Sequence, residues 1–208
     1  VKFNKDNTLY LVVFSFVCCG LFVAGLAVAN ELTRERVEAN RNFAAQSAVL
    51  DALGLRYGDM DEAAALYART VRSIDGSSPP AYSAALDDGV HYAVEASGAG
   101  LWGTISVIVA SDAKVTRIDG IQVLSQNETP GLGGRIDEAW FKNQFRGEAI
   151  ANGRIGVSSG AEAKGIGDAD KDNALVDGVT GATRTTQAME AILGTAIKRL
   201  ETVAGGGK

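Results

Sequence analysis

The sequence is poor in the residues that build metal centres and nucleophilic sites. It has one histidine, His91, and two cysteines, Cys18 and Cys19. The cysteines are adjacent inside an apolar run, in neither a CxxC nor a zinc spacing. They read as small hydrophobic residues of a helix, and a metal role would need ligands from another protein of an assembly. His91 opens a β-rich segment, and nothing beside it suggests a ligand or a base, so its expected role is structural. Basic residues do not gather into a patch interleaved with aromatics, and the formal net charge is −5. Nucleic acid is therefore not an expected partner. The chain opens on Val1 rather than Met, so a start lying upstream or removed by processing is expected.

Charge is absent from Leu9 to Ala29, an almost unbroken apolar run. As a helix this run is about 30 Å long, enough to cross a bilayer core. A cleaved signal peptide is the competing reading, with Ala27-Val28-Ala29 as its cleavage site. Its apolar segment would usually be shorter, so the length favours a retained anchor. Lys2 and Lys5 precede the run, and Arg34, Arg36 and Arg41 follow it. The positive-inside rule therefore fixes no orientation, and taken literally it opposes export of the C-terminal part.

Glycine and proline are absent from Glu31 to Leu53, so the helix should continue as a polar stalk carrying Val37, Phe43, Val49 and Leu50. Gly54 is its natural stop. Asp61 to Val71 reads as a short alanine-rich helix, and Gly76 to Pro80 as a loop. Three strands are expected at His91–Ser97, Leu101–Ala110 and Lys114–Ser125. Gly98-Ala99-Gly100 and the turn Ser111-Asp112-Ala113 join them into a mainly antiparallel meander. Ile136 to Phe145 reads as a helix anchored by Trp140 and Phe141, and Arg154 to Ser158 as a further strand. Ser159 to Asn173 is a polar loop. Within it Asp168, Asp170 and Asp172 alternate like the start of a calcium loop. Asn173 stands where that loop needs Gly and Val179 where it needs Glu, so a solvated turn is expected. Gly205 to Lys208 reads as a flexible tail.

Two stretches carry the chemistry. The first is Asp177-Gly178-Val179-Thr180-Gly181-Ala182-Thr183. Met189, Ile192, Leu193, Ala196, Ile197 and Leu200 follow at helical spacing, which puts Thr183 at or near a helix N-terminus. Free N–H groups and the positive end of the helix dipole suit a phosphate there, and the small residues allow close approach. A capping threonine before an ordinary helix explains the same residues. The second stretch is Glu128-Thr129-Pro130-Gly131-Leu132-Gly133-Gly134, a rigid turning backbone. Its glycine spacing is wrong for a dinucleotide fingerprint, and a surface loop is the plain alternative.

The first stretch resembles the flavinylation signature Asp-Gly-x-Ser/Thr-Gly-Ala-Thr, and every position matches. The resemblance implies FMN joined through its phosphate to Thr183 by a flavin transferase. Glu-Thr-Pro-Gly-Leu-Gly resembles the second hallmark of the FMN-binding domain shared by two respiratory complexes. There the loop lies against the flavin, which implies contacts from Glu128, Thr129, Gly131, Leu132 and Gly133. Gly178, Thr180, Gly181 and Ala182 complete the implied cofactor site. Asp177 would serve transferase recognition or orient the turn, and Arg184 could neutralise the phosphoester. With the anchor and both motifs in order, the chain resembles the C subunits of the Na⁺-translocating NADH:quinone oxidoreductases. The G subunits of the Rnf ferredoxin:NAD⁺ oxidoreductases are close relatives. The opening Asn4 to Tyr10 and the Gly100-Leu101-Trp102 turn look more like the former.

The resemblance implies an extracytoplasmic, bacterial inner-membrane electron carrier without acid–base residues of its own. It would take single electrons from a metal cluster in the membrane and pass them to a flavin on a neighbouring subunit. No NADH or quinone site is identifiable on this chain. The expected fold is α+β: an N-terminal tail and single transmembrane helix (1–30), a helical stalk (31–55), and one FMN-binding domain (56–204) with a mainly antiparallel sheet. A short tail (205–208) follows. A membrane-anchored scaffold without cofactor, and a flavinylated carrier of another extracytoplasmic chain, are the other readings.

Overall fold

The computed structural model describes residues 8–74, 76–158 and 167–206. They divide between Asn42 and Phe43 into two units. Helix α1 (Thr8–Ala52) makes up the described part of the first unit and opens the second. In the first unit apolar side chains are exposed on every side, Phe16 at 80% and Phe22 at 75%. A helix that is apolar all round suits hydrocarbon rather than water. It is long and apolar enough to cross a membrane once.

The second unit begins with the last turns of α1, where Ala48, Val49, Leu50 and Ala52 are buried. The helix ends at the expected stop. Gly54 has φ +76°, its N–H donates to the Asp51 carbonyl at 3.1 Å, and the Leu55 N–H donates to the Leu50 carbonyl at 2.9 Å. Those two bonds satisfy carbonyls that the helix leaves open. Helix α2 (Met60–Thr70) is capped by Asp59, whose carboxylate accepts from the Glu62 N–H at 2.8 Å. Glu62 reaches back to the Gly58 N–H at 2.7 Å.

Five strands follow: β1 (Val71–Ser73), β2 (Ala81–Leu86), β3 (Gly89–Ala99), β4 (Thr104–Asp112) and β5 (Ile118–Ser125). They form an antiparallel sheet in chain order, with Val94 opposite Val109 and Ala96 opposite Val107. Both faces are covered. Val94, Ala96, Ile105, Val107 and Val109 belong to one core with Met189, Ile192, Leu193 and Ile197 of the last helix, Thr183–Gly206. Ala93, Ile108 and Ala110 belong to the other, with Leu50 and Ala63 of the first two helices. This double burial explains why β4 reads as a nearly continuous apolar run. A short 3-10 turn (Gly133–Asp137), helix α3 (Ala139–Asn143), a parallel pair, β6 (Gly156–Ser158) with β7 (Leu175–Asp177), and the last helix, α4 (Thr183–Gly206), complete the α+β fold.

Several local expectations need correction. β1 and β2 lie outside the expected strands; Ala81 to Leu86 is alanine-rich, and its pairing with β3 on one side and β1 on the other makes it a strand. β3 runs on through Ala99, so Gly100 to Gly103 forms the turn, where the Gly100 N–H donates to the Gly103 carbonyl at 2.7 Å. The next turn lies at Ala113 to Arg117, because the Asp112 carboxylate accepts from the Thr116 and Arg117 N–H groups at 2.7 and 3.1 Å. The expected helix over Ile136–Phe145 breaks at Glu138, whose backbone is extended (φ −69°, ψ 148°). Its carboxylate accepts from Arg135 and the Trp140 indole.

His91 has partners that its sequence neighbourhood does not disclose. Nδ1 lies 2.7 Å from Asp119 and Nε2 lies 3.0 Å from Asp88. The alternating acids form a self-bonded turn: Asp168 accepts from the Asp170 N–H and the Asn173 amide, and Asp170 from the Asp172 N–H. The part of the polar loop at 159–166 lies outside the described residues. Helix α4 continues to Gly206, past the expected start of the tail, and residues 207 and 208 lie outside the described residues.

Candidate functional site

The two motif stretches, about fifty residues apart in sequence, meet in one cleft of about 210 Å³. Leu101 of the β3–β4 turn forms one wall. Glu128, Thr129, Leu132 and Gly133 form the second, and Gly181 to Thr185 at the start of α4 form the third. A larger hollow of about 320 Å³ lies along α4 from Gln187 to Lys198, but it contains neither motif. Size alone does not locate the site.

The second wall is a tight loop. The Thr129 carbonyl accepts from the Leu132 and Gly134 N–H groups at 3.1 and 3.0 Å, and Gly131 stands at the exposed apex. Glu128 points inward and is 5% exposed. One carboxylate oxygen accepts from the Leu101 and Trp102 N–H groups at 2.9 and 3.0 Å, and the other from the Thr185 hydroxyl at 2.5 Å. The Glu128 N–H itself donates to the Gln126 side chain at 2.7 Å. Gly133 leaves room for this arrangement, since a Cβ there would lie 2.9 Å from Glu128 and 2.5 Å from the Thr185 hydroxyl.

The third wall is set by β7 and by the turn into α4. Gln144 is buried beneath it and treats Asp177 as a strand neighbour: its amide donates to the Asp177 carbonyl at 3.0 Å and accepts from the Asp177 N–H at 2.8 Å. The Gly178 N–H donates to the Ser158 carbonyl at 2.8 Å, packed against Thr186. Gly181 has φ +79°, a left-handed turn that suits glycine, and the Ala182 N–H closes it onto the Val179 carbonyl at 3.1 Å. Thr183 is the first residue of α4 and is exposed, whereas Thr185 and Thr186 are buried. The first helical N–H groups have no intrahelical carbonyl to reach.

Of the residues singled out from sequence, Glu128, Thr129, Leu132, Gly133, Gly181, Ala182, Thr183 and Arg184 line the cleft. Asp177, Gly178, Thr180 and Gly131 do not; they shape the turns that carry it. Sequence reading missed Thr185, a wall residue and a Glu128 partner, and Gln144, which positions Asp177. No local pattern marks either, because each acts on a residue dozens of positions away. Leu101 and Leu132, which line the cleft, are 53% and 45% exposed, and Trp102, next to Leu101 in the turn, is 69% exposed.

Residues 100–198 match the FMN-binding domain family model. This segment is similar to FMN-binding domains. The chain is 27% identical to the C subunit of the Na⁺-translocating NADH-quinone reductase of Haemophilus ducreyi, over 91% of this chain and 89% of that protein. It is 25% identical to the corresponding Vibrio anguillarum protein, over 90% and 89%. The fold matches the crystal structure of the corresponding Parabacteroides distasonis protein with a TM-score of 0.66 and 22% identity, covering 84% of this chain and 97% of that one. The matched segment begins at Gly100, so it includes all three walls of the cleft.

Proposed function

We propose that Thr183 carries FMN through a phosphoester and that the chain is the electron-carrying subunit of a Na⁺-translocating NADH:quinone oxidoreductase. The supporting observation is that the motif's last threonine is the exposed hydroxyl at the start of α4, on the cleft that the Glu128 loop walls. The residues present fit the cofactor. A phosphate on Thr183 would be held by the helical N–H groups at the start of α4 and by the positive dipole end. Arg184, exposed beside it, adds a cation. Leu101 and Leu132 would offer apolar surface to the ring.

Bound FMN supplies the one-electron chemistry. The chain holds it, orients it and covers part of it. Attachment requires the Thr183 oxygen to form a new bond to phosphorus while a bond to a leaving group breaks and the hydroxyl proton departs. A free phosphate monoester would have to expel water, so the donor is an activated flavin phosphoanhydride used by a flavin transferase. The apolar part of α1 anchors the chain in the bacterial inner membrane, with the domain on the extracytoplasmic side and its neighbours in the complex supplying and accepting electrons.

The test is intact mass after denaturation, from cells that contain the transferase. The wild-type chain should gain one flavin phosphate mass, Thr183→Ser should keep it, and Thr183→Ala should lose it. Flavin persisting on the alanine variant would sink the assignment. Peptide mapping separates Thr183 from Thr180, Thr185 and Thr186. In native membranes, deletion of the chain should remove Na⁺-stimulated quinone reduction by NADH. Loss of ferredoxin-linked NAD⁺ reduction instead would assign it to an Rnf complex and leave the flavin site standing.

A further inference from the structure

Attachment of FMN to Thr183 gives no task to the buried carboxylate beneath the cleft. Glu128 is nevertheless placed with care by the fold. It collects donors from both of the other walls: backbone N–H groups of Leu101 and Trp102 from the β3–β4 turn, and the Thr185 hydroxyl from α4. Its own loop supplies it. Two glycines make room for the carboxylate, since a Cβ on Gly100 would lie 2.6 Å from one oxygen and a Cβ on Gly133 2.9 Å from the other. A neutral apolar residue at 128 would strand two backbone donors, a loss larger than an ordinary hydrogen bond because the acceptor is charged. The two donors belong to Leu101, which lines the cleft, and to Trp102 beside it in the turn.

We propose that Glu128 is a positioning residue that fixes the three walls against one another and holds the reduction potential of the flavin down. The second effect follows from charge. Reduction adds negative charge to the ring system. A carboxylate buried under the cleft opposes that charge through a medium that screens it poorly. This inference rests on the FMN reading for the potential, but the clamp exists in the chain alone.

Two variants separate the effects. Glu128→Gln keeps an acceptor for the two N–H groups while removing the charge. Glu128→Ala removes the acceptor as well. Hydrogen exchange of the full, flavin-free chain in detergent reads the clamp. The Leu101 and Trp102 amides should exchange at least about tenfold faster in Glu128→Ala, as expected for loss of a charged acceptor, and stay near wild type in Glu128→Gln. Redox titration of the flavin-loaded chain reads the charge: the midpoint potential should shift upward in Glu128→Gln. Unchanged exchange in the alanine variant overturns the clamp. An unchanged or lowered potential in the glutamine variant overturns the electrostatic role. Absence of flavin from wild-type Thr183 is a failure of the functional reading, and the exchange measurement still decides the clamp.

Discussion

Three threonines within four residues, Thr183, Thr185 and Thr186, differ chiefly in the side of α4 they occupy. Thr183 faces solvent on the cleft; Thr185 is 1% exposed and bonded to Glu128; Thr186 is 1% exposed, its hydroxyl without a hydrogen-bond partner among the described residues. A transferase can reach the first and not the others, so the helix phase supports the choice that the motif makes. Leu132 offers the complementary test at the same scale. It is exposed, so a polar replacement leaves the core intact. Leu132→Asp should change the flavin absorption spectrum or midpoint potential of the loaded chain while attachment continues. A variant with wild-type spectrum and potential would reduce the loop to a structural turn. Leu132 and Gly133 were legible in the sequence as members of a motif. The inward turn of Glu128 was not, because its partners at 101, 102 and 185 come from two other elements.

At the scale of elements, the sheet is tied by an ionic cluster far from the cleft. His91 on β3 bonds Asp119 on β5 and Asp88 in the β2–β3 turn, and Asp112 stands opposite His91 in the ladder with β4. Burial pulls the His91 pKa down, but the hydrogen bonds and charges of Asp119 and Asp88 outweigh it and raise the value above 6.5. A histidine pKa raised on folding stabilises the folded state fully below the unfolded value. That contribution is lost as pH rises through the folded one. Burial raises the Asp119 carboxyl as well, which costs stability as pH rises through the acid range, a lower window. As pH rises above the ordinary histidine value of 6.5, denaturant unfolding of the full chain in detergent should therefore show stability falling with pH. His91→Gln should flatten that slope. An undiminished slope in the variant would place its origin elsewhere. β3, β4 and β5 were legible from alternation and turn residues. β1 and β2 were not, because their residues carry no strand signal until β2 pairs with β3 and β1 then adds to the free edge of β2.

For the whole molecule, the property of greatest physical consequence is sidedness. The α1 span has basic residues on both flanks, so charge sets no direction, and the extracytoplasmic placement belongs to the functional proposal. Reporter fusions after Lys208 test it. Alkaline phosphatase should be active and a cytoplasm-dependent fluorescent protein dark, and the reverse pattern would invert the topology. What the sequence determined by itself was local in origin. An uncharged run of bilayer length, the stop at Gly54, the helical stripe behind Thr183 and two short motifs each depend on neighbours along the chain. The tertiary structure decided what depends on distance in sequence. It buried the end of α1 in the domain's core, broke the expected helix at Glu138, and gave His91 its acidic partners. It also brought the turn at 101, the loop at 128 and the helix start at 183 around one carboxylate. The reason is that backbone propensities act over a few residues, whereas a buried carboxylate must find its donors wherever the packed sheet and helix deliver them.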